Sequence, residues 1–219
     1  LVSRFQQAKI RGVESQDYEV IFGKASFAPQ GGVLIDGERH LTAKKYVIAN
    51  GSKPTVLPIP GIDSVPYITS DEVMRLEKLP KSVVVQGAGP IGLELGQFFA
   101  RMGSDVLLVN RSPLLSKADV ACGKELERAM NAEPNFTLAA PGKIESVRQD
   151  GDELVFDISQ GCSNRYEHRA ETFLMAAGRE ANLDELGLEH LDLEHFGCGL
   201  AHDLRMRTSH PDIYVAGDA

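Results

Sequence analysis

The sequence has few cysteines, and none lie close together. Cys122, Cys162 and Cys198 are the only three, and they form neither a CxxC nor a CxxxxC pair. That excludes a redox dithiol or a zinc knuckle built within these residues. An odd number of scattered thiols suits a reducing compartment, so a cytoplasmic location is expected. Basic residues are in deficit as well: 23 Lys and Arg stand against 31 Asp and Glu, for a formal charge of −8. Nucleic acid and anionic membranes both require Lys/Arg to neutralise phosphate, so neither is an expected partner. No apolar run approaches the ~20 residues that span a bilayer. Leu1 to Ile10 has neither the charged nor the apolar region of a secretory leader. No repeat of solenoid length and no low-complexity tract occurs. With no initial Met, and an end at Tyr214-Val-Ala-Gly-Asp-Ala219, the sequence reads as a piece cut at both ends.

What remains is ordinary globular composition, 42 % hydrophobic and 25 % charged over 219 residues, enough chain for two compact units. Leu1, Val2, Phe5, Ala8 and Ile10 form a helical stripe. Tyr18 to Phe27, Val33 to Ile35 and a segment opening at His40 read as strands, with a hairpin turn at Asp36-Gly37. Tyr46 to Ala49 is a buried run that stops at Asn50-Gly51-Ser52. Pro54, Pro58, Pro60 and Pro66 then suggest a stiff linker and a domain boundary. Thr69-Ser70-Asp71-Glu72 predicts a capped short helix, and Lys124 to Met130 a longer one. Phe136 to Leu138, Ile144 to Arg148, Leu154 to Ile158, Thr172 to Ala176 and Ile213 to Ala216 complete the expected strands.

The most informative stretch runs from Ser82 to Arg111. A β-branched strand leads into Gly87-Ala88-Gly89-Pro90-Ile91-Gly92, then a helix to Met102, a stop at Gly103, and a second buried strand from Asp105 to Val109. This is a strand–turn–helix–strand unit carrying GxGxxG in its proper context. Gly87 allows the tight turn, Gly89 lets a pyrophosphate approach the backbone, and Gly92 lets the helix pack on the strand. The pyrophosphate would sit at the helix N-terminus, on free N–H groups and the positive end of the dipole. A carboxylate closing the second strand would select NAD. Here Asn110 stands there, followed by Arg111 and Ser112, which leans towards the 2′-phosphate of NADP. The alternative, in which Arg111 is a solvated loop residue and Asn110 accepts NADH, stays open.

Four ordered motifs carry a family resemblance. They are Ile48-Ala-Asn-Gly-Ser-Lys-Pro54 with Ile59-Pro-Gly61, the unit from Val83 to Arg111 including Gly92-Leu-Glu-Leu95, Ala176-Ala-Gly-Arg-Glu-Ala-Asn182, and Thr208 to Asp218. In this order they resemble the pyridine nucleotide-disulfide oxidoreductases, the family of dihydrolipoamide dehydrogenase, mercuric reductase and glutathione reductase. The resemblance implies an α/β fold: a Rossmann-like NAD(P)-binding domain, residues 67–182, inserted in a partial FAD-binding domain made of residues 1–66 and 183–219. It places Gly51 and Ser52 on the phosphate side of FAD, Gly23 near its adenine, and Asp218 at its ribityl chain. Glu94 would act at the nicotinamide and flavin, paired with a Lys from another segment. Gly178 would lie beside the nicotinamide nucleotide, and Pro90, Ile91 and Ile144 would join the nucleotide contacts. The sequence departs from the family pattern at Asn50, Ala177 and Ala181, none of which is a reacting group. The family's redox CxxxxC and its dimer domain with a catalytic His–Glu pair are not among these residues. All six histidines read as solvated.

The implied activity is hydride transfer between NAD(P)H, FAD and a small-molecule or protein-linked disulfide, in a parent homodimer, with dihydrolipoamide dehydrogenase the leading label. A mercuric or glutathione reductase-like NADPH enzyme is the alternative. Two further alternatives are a dithiol-free NADH oxidase or ferredoxin reductase, and a non-catalytic nucleotide-binding module. A short-chain dehydrogenase is disfavoured, because no Tyr has a Lys four residues on.

Overall fold

The computed structural model describes every residue except 1, 16, 116–118, 162–163 and 198. Cys162 and Cys198 therefore lie outside the described residues, while Cys122 is a free, exposed thiol. The chain forms two compact units, one made of residues 1–51 and 182–219, the other of 52–181. In chain order, the first unit opens with α1 (Val2–Glu14), β1 (Ala25–Phe27), β2 (Val33–Ile35), β3 (Arg39–Leu41) and β4 (Tyr46–Ile48). The second contains β5 (Ser52–Pro54), α2 (Ser70–Val73), β6 (Ser82–Gln86), α3 (Pro90–Met102), β7 (Asp105–Val109), α4 (Val120–Asn131) and β8 (Phe136–Ala139). It continues through β9 (Lys143–Asp150), β10 (Glu153–Gln160), β11 (Asn164–Ala170), β12 (Thr172–Met175) and β13 (Arg179–Ala181). The chain then returns to the first unit with β14 (His195–Phe196), β15 (Gly199–Leu200) and β16 (Ile213–Val215).

The second unit is layered. A four-stranded parallel sheet in the order β12-β6-β7-β8 lies at its centre. Its strands are nearly all apolar because both faces are covered. On one face, Val83, Val85, Val106 and Leu108 pack with Phe99 and Ala100 of α3 and Met130 of α4. On the other, Val84, Leu107, Val109 and Phe173 pack with Val147, Leu154, Phe156 and Ile158 of the antiparallel β9-β10-β11 sheet. The rings of Phe156 and Phe173 meet edge to face at 5.0 Å across this second core.

The expected boundary at residue 66 moves to Gly51/Ser52, and the proline passage is not a linker. β5 pairs antiparallel with β13. Ile59, Ile62 and Val65 are buried in the core with Phe156 and Phe173, and the Val147 N–H donates to the Pro60 carbonyl at 2.9 Å. The prolines fix a path that these three side chains anchor. The capped short helix is present: Thr69 accepts from the Asp71 N–H, and its own N–H and hydroxyl donate to Glu72. Those bonds hold the Glu72 carboxyl below the usual carboxylate range.

The expected strand from Tyr18 shrinks to Ala25–Phe27, and β11 was not anticipated. β11 also corrects the reading of His168 as solvated. Tyr166, His168 and Ala170 alternate towards the covered side, and burial lowers the His168 pKa. The unfolded chain therefore binds this proton at higher pH than the folded one. The stability this contributes is full above the ordinary His value of 6.5 and is lost as pH falls towards the folded value. The expected outcome is that thermal melting of wild type drops more between pH 8 and 5.5 than that of His168→Gln. Parallel curves would show that His168 adds nothing to acid sensitivity.

In the first unit, β16 pairs parallel with β4, with Ile213 beside Tyr46 and Val215 beside Ile48. Strands far apart in sequence thus share one sheet, with a core of Ile48, Leu193, Leu200, Ile213 and Val215. No described helix is long and apolar enough to cross a membrane.

Candidate functional site

The glycine turn lies where β6 passes into α3. Gly87 adopts φ 109°, and a Cβ there would meet the Ala176 carbonyl oxygen at 2.4 Å. At Gly92 a Cβ would meet the Gly87 carbonyl oxygen at 2.0 Å. Both glycines are required by the protein's own packing. Gly89 differs. It is the N-cap of α3, with extended backbone at φ −74° and ψ 177°, and the space its Cβ would enter is open to 4 Å. Neither that backbone nor the surrounding packing requires a glycine. Pro90 follows at the first helical position, where its missing N–H is not needed. The first turn of α3 holds no acidic residue, so the positive end of the helix dipole is left for an anion.

A cleft of about 320 Å³ opens over this turn, lined by Gly87 to Ile91, Asn110 and Ala176 to Arg179. Gly87, Gly89, Pro90, Ile91, Asn110 and Gly178 are therefore brought together as expected. Gly92 lies buried beneath. Arg111 is exposed beside Asn110. Glu94 is exposed one turn along α3, with no hydrogen bond or ion pair among the described residues. Ile144 stands apart from the cleft lining: it is 3 % exposed and its side chain sits in the second core, which leaves only its backbone to a ligand.

Asn110 has a second role that spacing did not show. Its Oδ1 accepts from the Ala88 N–H at 3.2 Å, and its Nδ2 donates to the Ser112 carbonyl at 2.6 Å. The side chain therefore ties the glycine turn to the loop carrying Arg111. A carboxylate could make the first bond but not the second. Arg179 was also missed. Its Nε donates to Ser52 Oγ at 2.8 Å and its Nη2 to the Ser52 carbonyl at 2.7 Å, while Nη1 reaches Ser70 Oγ at 3.2 Å and Asp71 at 3.4 Å. Ser52, expected on the phosphate side of a flavin, is thus a partner of Arg179 within the second unit.

The first unit holds the other predicted residues. β4 and β16 run parallel, and each ends at a glycine with positive φ, Gly51 at 71° and Gly217 at 74°. A Cβ at either would enter open space. Asp218 follows, exposed. Open parallel sheets bind ligands beyond the carboxyl ends of their strands, and this pair of turns fits that pattern. Asn50 Nδ2 donates to the Asn182 carbonyl, and the Asn182 N–H donates back to Gly51 O at 2.9 Å. Gly23 lines a cleft of about 700 Å³ with Lys24, Asn50, Asn182 and Glu185. A Cβ on Gly23 would strike Ile35 at 2.4 Å.

The two sites offer backbone donors, open glycines and a helix dipole rather than an acid–base pair or nucleophile. They are suited to holding dinucleotides. A family model described as pyridine nucleotide-disulphide oxidoreductase matches residues 2–219. The mercuric reductase of Bacillus cereus is 33 % identical over 221 residues, covering 100 % of this chain and 34 % of that protein. That of Streptomyces lividans is 34 % identical over 206 residues, covering 92 % of this chain and 43 % of that protein. Among solved structures, the HOCl-induced flavoprotein disulfide reductase RclA from Escherichia coli superposes with a TM-score of 0.82 at 23 % identity, over 94 % of this chain and 47 % of that one. The chain spans less than half the length of each of these proteins.

Proposed function

Because the chain belongs to the pyridine nucleotide-disulphide oxidoreductase family, we propose that residues 52–181 bind a reduced nicotinamide dinucleotide and that the flanking segments form part of an FAD site. The observation that carries this reading is the contrast within one turn. Gly87 and Gly92 have no room for a side chain, whereas Gly89 faces an open cleft at the helix N-terminus. When bound, the nicotinamide supplies a hydride and the flavin passes its electrons on to an acceptor. The residues of this chain bind and orient. The first turn of α3 would hold the pyrophosphate, Gly178 would border the nicotinamide side, and the exposed Glu94 would lie near the nicotinamide. Gly23, Gly51 and Asp218 would contribute to the FAD site. A cytoplasmic location and a parent homodimer through a segment outside these residues belong to the same proposal.

The proposed acceptor is a small-molecule or protein-linked disulfide. Mercuric ion is the second reading, and the mercuric reductase relatives favour it over the dihydrolipoamide dehydrogenase label. On that second reading the full-length protein would oxidise NADPH faster with mercuric ion plus thiol than with lipoamide. Faster lipoamide turnover would restore the dihydrolipoamide label.

Arg111 is the proposed partner of the 2′-phosphate. A hydrogen bond to a charged group contributes about 1.5–3 kcal/mol. Arg111→Ala should thus weaken NADPH roughly tenfold to hundredfold and leave NADH nearly unchanged. Equal loss for both nucleotides would assign Arg111 elsewhere.

A further inference from the structure

Arg179 stands where three parts of the second unit converge. The chain enters this unit at Ser52 and leaves it after Ala181. β5 and β13, which carry those two crossings, pair with Arg179 opposite Pro54 and Ala181 opposite Ser52. The Arg179 guanidinium reaches across this ladder. Two of its nitrogens hold the side chain and the carbonyl of Ser52, and the third bridges to Ser70 Oγ and Asp71 in the first turn of α2. The ion pair with Asp71 spans 3.4 Å, and the arginine side chain keeps 29 % of its exposure. The planar fork serves two hydroxyls, a carbonyl and a carboxylate at fixed angles, one acceptor more than the three N–H groups of an ammonium can serve.

The same residue lines the nucleotide cleft. Gly178, just before it, borders the cleft at φ 131°, and the Gly178 carbonyl accepts from the Thr55 N–H at 3.0 Å. The strand pair fixed by the guanidinium is thus the strand pair that fixes Gly178. Lys53 and Glu180 add a salt bridge at 3.4 Å on the same ladder, but both are more exposed and carry less positional constraint.

We infer that Arg179 is a positioning residue for the nicotinamide nucleotide: by clasping Ser52 and α2 it holds the β5–β13 ladder closed and sets the Gly178 wall of the cleft. The inference rests on the nucleotide-binding reading above. Its effect should appear in nucleotide affinity rather than in the maximal rate, because the guanidinium acts through Gly178 and not on a reacting atom.

The test is steady-state kinetics and NADPH titration of the full-length flavoprotein as wild type, Arg179→Gln, Ser52→Ala and the double variant. KM and Kd for NADPH should rise roughly tenfold in Arg179→Gln, about 1.4 kcal/mol of binding, with kcat nearly constant. The Ser52→Ala effect should be largely contained within it, giving non-additive changes in the double variant. Should Arg179→Gln fail to fold, Arg179→Lys, which keeps the charge but loses the fork, is read the same way and should also raise KM. A lowered melting temperature with unchanged KM in the folded variants would make Arg179 merely structural and overturn the inference. Wild type that binds no nucleotide would overturn the site reading and this inference with it. Tight wild-type binding with unchanged variants would overturn the inference alone.

Discussion

Gly89→Asp should leave the fold intact and remove nucleotide binding. Gly89 is the N-cap of α3 in an extended conformation open to any residue, and a Cβ there meets nothing within 4 Å. Asp is a better N-cap than Gly by a few tenths of a kcal/mol, and its charge suits the positive end of the helix dipole. Melting temperature should therefore hold or rise slightly. The new carboxylate would occupy the donors proposed for the pyrophosphate and repel it. Two like charges about 4 Å apart near a protein surface cost about 4 kcal/mol, so affinity should fall at least ~100-fold. Titration with NADPH alongside a thermal melt checks both halves. A stable variant that binds as wild type does would place the nucleotide elsewhere.

Gly92→Ala should do the reverse and damage the fold first. Its Cβ would stand 2.0 Å from the Gly87 carbonyl oxygen and 3.0 Å from the Gly87 carbonyl carbon, both backbone atoms of the turn itself. Replacing a Gly with Ala in a helix interior gains about 1 kcal/mol, an upper limit for a residue in the first turn. Here that gain is overwhelmed, because α3 must move off β6 and out of a core that includes Val83, Val85 and Phe99. Overpacking costs about 1–3 kcal/mol and sometimes more, so a net loss near the upper end is expected in urea unfolding, with nucleotide binding lost alongside. Unchanged stability would contradict the close helix–strand seat. One hexapeptide thus separates into a glycine that the protein's own packing leaves open and glycines that this packing requires.

The β6–α3–β7 unit was legible because its signals agree. A β-branched run, three glycines at fixed offsets, a helical stripe and a stop at Gly103 all point to one geometry, and the structure places each where spacing put it. The parallel pairing of β4 with β16 was not legible, since no local pattern reports a partner so distant in sequence. β11 was invisible for a physical reason: Asn164 to Ala170 contains almost no aliphatic residues. Its outer face is held by ion pairs, Arg169 to Asp150 and Arg148 to Glu167, rather than by an apolar alternation. The proline passage misled because prolines that stiffen a linker also stiffen a packed segment, and only Ile59, Ile62 and Val65 reveal which.

Within the site, residues defined by backbone geometry were readable and those defined by side-chain hydrogen bonds were not. Gly87, Gly89 and Gly178 announce themselves by lacking a side chain. The tie from Asn110 to Ala88 and Ser112, and the clasp of Arg179 on Ser52, depend on loops meeting in space. Ile144 was not readable in the same way, since nothing in its spacing shows that its side chain turns into the core.

The most direct test of the central claim is calorimetric titration of the full-length protein with NADPH and with NADH at equal ionic strength. The account predicts saturable binding at one site per chain, tighter for NADPH through Arg111. A folded sample that binds neither nucleotide would make the glycine turn purely structural and contradict the account.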